Sequence, residues 1–170
     1  MLRAACVRVR AYTAVAVLLG VASLSAPPAH GGSRSATLQV LANVVATCIV
    51  TASDLNFGAY TGLEVRASST ISARCNGPVG YHIALDAGSH YDGTWRAVSN
   101  MTQRIPYGLF APSGHEWGDE DYADTYKYGY SLAGTGTGAW QSIPLSGVLF
   151  GGVIVPVGPY QDVVAVSIYF

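Results

Sequence analysis

Short segments in which apolar and polar residues alternate recur along most of this chain, and no other feature limits its possible folds as strongly. In the clearest segment, Val65, Ala67, Ile71, Ala73 and Cys75 alternate with arginine, serine and threonine. A period of two is that of a β-strand with one face in a core. Turn residues separate such segments about every ten residues, and no apolar pattern of helical period persists. The sequence therefore predicts an all-β sandwich or barrel of about seven strands.

Six further segments carry a similar pattern and are predicted as strands. They are Leu38–Val50, Tyr81–Leu85, Ile105–Leu109, Tyr126–Leu132, Trp140–Phe150 and Tyr160–Phe170. Because Pro106 has no amide hydrogen to donate, we expect its strand at a sheet edge or at a bulge. The glycine-rich run 134–138 is predicted as a flexible hairpin tip, since no Lys-Ser or Lys-Thr pair follows it as in a phosphate-binding loop.

The first 31 residues have the pattern of a secretory signal peptide. Three arginines precede an uncharged apolar run, 11–24, that is shorter than the ~20 residues of a membrane-spanning helix. Cleavage is predicted before Gly32, with a site after Ala29 as the alternative. A retained membrane anchor is the other interpretation, and the length of the run disfavours it. We therefore expect the mature chain to be exported.

The cysteine content agrees with export. Cys6 leaves with the signal peptide, so that Cys48 and Cys75 remain, both at core-facing positions of predicted strands. In an oxidising compartment we expect them to form a disulfide, with two free buried thiols as the alternative. Closing a loop of this length would stabilise the fold by roughly 3.5 kcal/mol on chain-entropy reasoning.

Charge and motif content exclude several classes of function. The chain has 9 basic and 10 acidic residues, and removal of the signal peptide takes away three basic residues, so the mature charge is 6 − 10 = −4. We therefore expect no nucleic-acid partner, and no later apolar run is long enough to span a membrane. Nucleophile-elbow, HExxH, phosphate-loop and CxxC motifs are missing from the sequence, and we predict neither catalytic residues nor a cofactor.

Two groups of polar and aromatic residues leave other possibilities open. An acidic loop that could hold calcium, but more often is simply solvated, contains Glu116, Asp119, Glu120, Asp121 and Asp124. Three histidines could act as metal ligands, but they lie in separate segments and no metal site is predicted. They are His82, His90 and His115. Aromatic residues that could stack on a sugar near the acidic loop are Trp95, Trp117 and Tyr122. A carbohydrate-binding module or secreted hydrolase is therefore an alternative.

Several segments together resemble the spore coat protein U family, which includes subunits of archaic chaperone–usher pili. Their order along the mature chain carries the resemblance. They are the alternating segment into Cys48, Phe57-Gly58-Ala59-Tyr60, the strand into Cys75, Tyr81–Leu85 with Gly88, Arg96, Ile105–Phe110, Trp117-Gly118, and Gly158–Val163 with alternation to Phe170. The sequence departs from the family pattern at Val98, where Met is frequent, and in the long, tyrosine-rich region 116–138.

The resemblance implies an immunoglobulin-like β-sandwich, here residues 46–170, that lacks its last strand. It also implies that residues 32–45 form an N-terminal donor-strand segment, which completes the sheet of a neighbouring subunit. The side chains that would fill the neighbour's groove are Leu38, Val40, Ala42 and Val44. The alternative is that they belong to the chain's own first strand, because nothing in the sequence breaks 38–50 in two.

The same resemblance implies that the protein is located outside the cytoplasm. We expect a structural subunit that passes through the periplasm to the cell surface, where it supports adhesion and biofilm formation. The expected partners are a periplasmic chaperone, an outer-membrane usher, and identical or homologous pilus subunits. A non-polymerising coat or surface protein built on the same sandwich is the alternative.

Overall fold

The computed structural model describes residues 31–120 and 129–170. Eight β-strands and no helix lie in these two ranges. They are β1 (Cys48–Ala52), β2 (Val65–Cys75), β3 (Gly80–Leu85), β4 (Arg96–Ser99), β5 (Arg104–Phe110), β6 (Leu132–Thr135), β7 (Gln141–Leu149) and β8 (Val166–Tyr169). By its internal contacts the chain divides into two units, Met1–Leu41 and Ala42–Phe170, and all eight strands belong to the second.

The strands form two antiparallel sheets. One sheet has five strands in the order β1-β2-β7-β5-β4, and the other has three in the order β6-β3-β8. The longest ladder joins β2 to β7, from Val65 opposite Leu149 to Ala73 opposite Gln141. The predicted all-β fold is thus confirmed, and the two sheets have the architecture of an immunoglobulin-like sandwich.

The core lies between the sheets and is filled by the alternate residues that the sequence pattern singled out. On β2, Ile71 and Ala73 are buried, and on β3, Tyr81, Ile83 and Leu85 are buried. Their neighbours in sequence are mostly polar and partly or fully exposed, as expected for strands with one solvated face.

The predicted disulfide is present and joins the first two strands. Cys48 and Cys75 lie directly opposite each other in the β1–β2 ladder, with their Cα atoms 4.0 Å apart. Both side chains belong to the core. Beyond the bridge, the amide group of Asn76 donates from Nδ2 to the Val45 carbonyl at 2.7 Å and accepts from the Thr47 amide at 3.2 Å. The chain is therefore anchored where it enters β1.

A buried arginine and a buried tryptophan connect the two sheets. The Arg96 guanidinium on β4 donates to the carbonyl oxygens of Leu85, Asp86 and Trp117 at 2.7–2.9 Å. The Trp117 indole N–H donates to the Ile83 carbonyl at 2.9 Å. Because both side chains are completely buried, these bonds are made where water cannot replace them.

The structure corrects several predicted strand bounds. The predicted strand 38–50 is β1, which starts only at Cys48, and the predicted strand 160–170 is assigned only over β8. The turn predicted at 134–138 is wrong at its start, because Gly134 and Thr135 belong to β6. Gly134 has a packing role there, since a Cβ at this position would lie 2.4 Å from the Tyr81 ring. Tyr126 and Tyr128 of another predicted strand lie outside the described residues.

The expectation for Pro106 was also wrong. Its strand, β5, lies inside the five-stranded sheet, between β4 and β7, and Pro106 sits in register with Ala97 of β4. β4 itself was missed by the sequence pattern, because it has only four residues and each of its faces carries one polar and one apolar side chain.

Candidate functional site

An open groove of about 1170 Å³ lies over the core between the two sheets of the second unit. Most of its floor consists of apolar side chains from β2, β3, β5 and β7, with Val98 of β4 and Val166 of β8 beside them. The side chains from the first four strands are Ile71, Leu85, Ile105, Tyr107, Leu109, Leu145 and Leu149. Two stretches with little regular structure form its walls, residues 53–62 and residues 153–164, which are called the first wall and the second wall below. Protein cores are normally close-packed, so a groove of this size over the core leaves room for a further segment of chain.

The first wall follows β1 and is held over the sheet by packing. Gly147 on β7 makes the space, because a Cβ there would lie 2.4 Å from the Leu55 side chain and 3.0 Å from the Phe57 ring. The Phe57 ring also packs against Tyr107, with centroids 6.0 Å apart. At the start of the wall, the Ser69 hydroxyl donates to the Ser53 carbonyl at 2.7 Å, which explains a polar residue at a core-facing position of β2.

The second wall leads into β8 and is attached to the sandwich through its backbone. Ser99 of β4 and Gln161 exchange two backbone bonds, at 2.9 and 3.1 Å. The Ser89 amide donates to the Val163 carbonyl at 3.0 Å. Two apolar side chains of this wall, Ile154 and Val157, are fully exposed.

The strand after the second wall offers an open edge. Among the described residues, β8 pairs only with β3, and no strand is hydrogen-bonded to its other edge. β1 lies close to β8 but pairs only with β2 in the described part of the chain. An unpaired strand edge presents a row of free N–H and C=O groups that can accept an additional strand.

A buried carboxylate fixes the second wall. Asp162 accepts a hydrogen bond from the Tyr107 hydroxyl at 2.7 Å and from the His90 amide at 3.1 Å, and its carboxylate lies 3.0 Å from His90 Nδ1. The Asp86 carboxylate accepts from the amides of Gly88 and Ala165, both at 2.9 Å. Burial, with the hydrogen bond to Asp162, raises the pKa of Tyr107 far above its ordinary value.

This pKa shift predicts an alkaline limit to stability. Because the folded protein holds the Tyr107 proton more tightly than the unfolded chain does, the stabilisation is complete below pH ~10 and is lost as the pH rises further. We expect the free energy of unfolding to fall more steeply above pH ~10 in the wild type than in Tyr107→Phe, by up to about 1.4 kcal/mol per pH unit. Denaturant unfolding at a series of pH values measures the slope of the unfolding free energy against pH for both proteins. Tyr130→Phe, which changes an exposed tyrosine, is the control. Equal slopes for wild type and Tyr107→Phe would contradict this assignment.

The predicted donor residues lie in a stretch without strand structure. Leu38, Val40 and Val44 are each 86% exposed, and Ala42 is exposed as well. Within residues 31–47 no strand is assigned. Leu41, which lies between these alternate positions, is equally exposed. So many exposed apolar side chains are unusual in a folded protein and are typical of a segment that binds a partner.

Other candidate sites receive less support. Trp117 cannot stack on a sugar, because it is buried in the core, and Tyr122, Asp121 and Asp124 lie outside the described residues. Asp119 of the acidic loop is buried rather than solvated. In residues 31–120 and 129–170 no three His, Cys, Asp or Glu side chains come together as metal ligands would. No helix in these ranges has the length and hydropathy needed to cross a membrane.

Comparison with known proteins identifies the family. The family model of the Spore Coat Protein U domain matches residues 34–167. The chain belongs to this family. No curated protein matches this Spore Coat Protein U domain at a significant level.

Chains of known structure also match. One belongs to the crystal structure of the CsuC–CsuE chaperone–tip adhesion subunit pre-assembly complex, from the archaic chaperone–usher Csu pili of Acinetobacter baumannii. The match has a TM-score of 0.55 and 23% sequence identity, and it covers 75% of this Spore Coat Protein U domain chain. The chain spans only 40% of the length of that matched chain. At this identity the likeness shows a shared fold.

Proposed function

We propose that this protein is a structural subunit of a surface pilus, in which the N-terminal segment of one copy fills the groove of the next. The observation that carries the proposal is the open apolar groove beside the unpaired edge of β8. The same chain provides a matching occupant, since Leu38–Val44 alternates and its apolar side chains are exposed. A strand added at the edge of β8 would enter the groove and extend that sheet.

The energy of such an insertion is sufficient for a durable fibre. Burying one leucine and two valines at about 1.5–3 kcal/mol each, with a smaller alanine term, gives roughly 5–10 kcal/mol before ordering costs. Backbone hydrogen bonds along β8 would add to this. Because the donor extension precedes the domain and the groove lies within it, each copy can donate to one neighbour and accept from another. The contact is heterologous and therefore builds an open fibre.

The proposed partners follow from the family and from the fold. A subunit with an uncovered apolar groove needs protection before assembly, and the matched chain comes from a complex of a chaperone with a pilus subunit. We therefore assign this protein a periplasmic chaperone, an outer-membrane usher, and further subunits as partners. Export to the periplasm and then to the cell surface, with roles in adhesion and biofilm formation, completes the proposal.

A single substitution in the donor segment tests the proposal. Val40→Asp would place a carboxylate on the apolar floor of a neighbour's groove, which costs several kcal/mol when the charge has no partner. We expect fibre yield to fall at least tenfold, as measured by electron microscopy and by the multimers released from cells. Chaperone-bound subunit should accumulate normally, because Val40 is exposed in the subunit itself.

Gln39→Asp is the matched control, since the adjacent residue of an inserted strand points away from the floor. Its fibres should form at close to the wild-type yield. Equal fibre yields for Val40→Asp and wild type would contradict the donor role of this segment. A long-lived soluble monomer of the wild type would instead favour a non-polymerising coat protein.

A further inference from the structure

We propose that Tyr60 is a positioning residue of the groove, whose hydroxyl joins the two walls in place of a backbone bond that Pro106 cannot make. The inference rests on the proposed function, because it assigns Tyr60 a role in holding an inserted strand. It concerns the end of the groove where the first wall meets the start of the second.

The ladder between β5 and β7 lacks one hydrogen bond at this end. Tyr107 lies opposite Leu149, which places Pro106 opposite Phe150. The Phe150 amide donates to the Pro106 carbonyl at 3.0 Å. In an antiparallel pair of this kind the return bond would run from residue 106 to the Phe150 carbonyl, but proline has no N–H to donate. The Phe150 carbonyl therefore needs another donor.

The Tyr60 hydroxyl occupies the position of that donor. Its oxygen lies 3.1 Å from the Phe150 carbonyl oxygen and 3.2 Å from the Val153 carbonyl oxygen, so its single hydrogen can be shared between them. The same oxygen accepts a hydrogen bond from the Val153 amide at 3.2 Å. One side chain of the first wall thus bonds both the end of β7 and the start of the second wall.

Few other polar bonds hold the first wall in place. The Gly152 amide donates to the Gly62 carbonyl at 2.8 Å, where the walls come together. Between Leu55 and Tyr60, in the part of the chain that the structure describes, the other attachments to the sandwich are the packing of Leu55 and Phe57 over Gly147 and of Phe57 against Tyr107. Loss of the hydroxyl would leave the middle of the first wall held by apolar contacts, with polar bonds only at its two ends. The width of the groove at this end would then be free to vary, and an inserted strand would be held less tightly.

The test uses multimers of the full-length chain and follows their dissociation in denaturant. Removing the hydroxyl in Tyr60→Phe is expected to speed dissociation about five- to tenfold, because a partly buried carbonyl and amide lose their partner. Tyr130→Phe, which removes a hydroxyl from an exposed ring outside the groove, should dissociate at the wild-type rate. A Tyr60→Phe rate equal to that of the wild type would overturn the positioning role.

A proline variant tests why the hydroxyl is needed. Pro106→Ala supplies the missing N–H. When multimers with and without Tyr60→Phe both carry Pro106→Ala, their dissociation rates should differ by only about twofold. Comparison within the Pro106→Ala background cancels the effect of proline on the unfolded chain. An undiminished effect would show that the hydroxyl does not replace the proline's missing bond.

Hydrogen exchange separates this inference from the proposed function. In Tyr60→Phe the Val153 amide loses its acceptor, and its exchange should accelerate at least tenfold in the full-length chain, whether or not the chain is polymerised. If the wild type forms no multimers, the proposed function fails, and with it the role of Tyr60 in holding an inserted strand. Exchange at Val153 still decides whether the hydroxyl holds the wall, and unchanged exchange would contradict that bond.

Discussion

A chain that lacks Ser33–Val44 is expected to lose fibre assembly entirely while keeping its groove. The deletion removes all the apolar side chains assigned to the donor strand, and with them the roughly 5–10 kcal/mol estimated for their burial. It leaves every strand of the sandwich and the Cys48–Cys75 bridge unchanged. We expect the variant to accumulate with its chaperone and to form no fibres in electron micrographs.

The deletion variant should also stop the growth of wild-type fibres. It can accept a donor strand but cannot supply one, so its incorporation would end a chain. Expressed together with the wild type, it is expected to shorten fibres in proportion to its amount. A variant with residues 33–44 replaced by an equal length of Gly and Ser is the control for length and should behave as the deletion does. Fibres of normal length and number from the deletion variant alone would contradict the donor role.

Loss of the buried guanidinium should destabilise the sandwich more than any surface change. Arg96→Met keeps a side chain of similar length but leaves three carbonyl oxygens without their donor in the interior. We expect the free energy of unfolding to fall by about 3–5 kcal/mol, because each buried carbonyl oxygen that loses its donor is left without a hydrogen bond. Urea unfolding of the donor-complemented protein measures this loss.

Arg66→Met is the matched control for this substitution. Arg66 is exposed on β2 and pairs at 2.7 Å with Glu64, which is also largely exposed. Such a pair contributes ~0–1 kcal/mol, so the control should unfold close to the wild type. Equal losses for the two arginine variants would show that the carbonyl contacts of Arg96 do not stabilise the fold.

Much of the sandwich could be predicted because strand periodicity is a local property. The alternation in β2 and β3 identified which side chains are buried, and the same alternation placed both cysteines on core-facing positions. Where the local pattern fails, long-range geometry decides. Arg96 reads as a surface residue, yet it is buried because carbonyl oxygens from two other segments converge on it.

The groove itself could not be predicted from the sequence. Its walls carry no regular alternation, and their positions depend on distant residues such as Gly147, which makes room for Leu55. The role proposed for Tyr60 depends on a proline that is distant in sequence, in β5. The alternation of Leu38–Val44 predicts a strand but cannot say which sheet it joins, because a partner on another molecule leaves no trace in the pattern.

The central claim is that the N-terminal segment of another copy completes an incomplete sandwich. Thermal unfolding tests this claim directly. The chain without Ser33–Val44 would be refolded with and without a synthetic peptide of residues 32–45, and with the same peptide carrying Val40→Asp. A peptide that binds only the folded state at 100 times its Kd stabilises it by about 2.7 kcal/mol. We therefore predict a melting temperature several degrees higher with the wild-type peptide and no change with the Val40→Asp peptide. A melting temperature that neither peptide alters would contradict the claim.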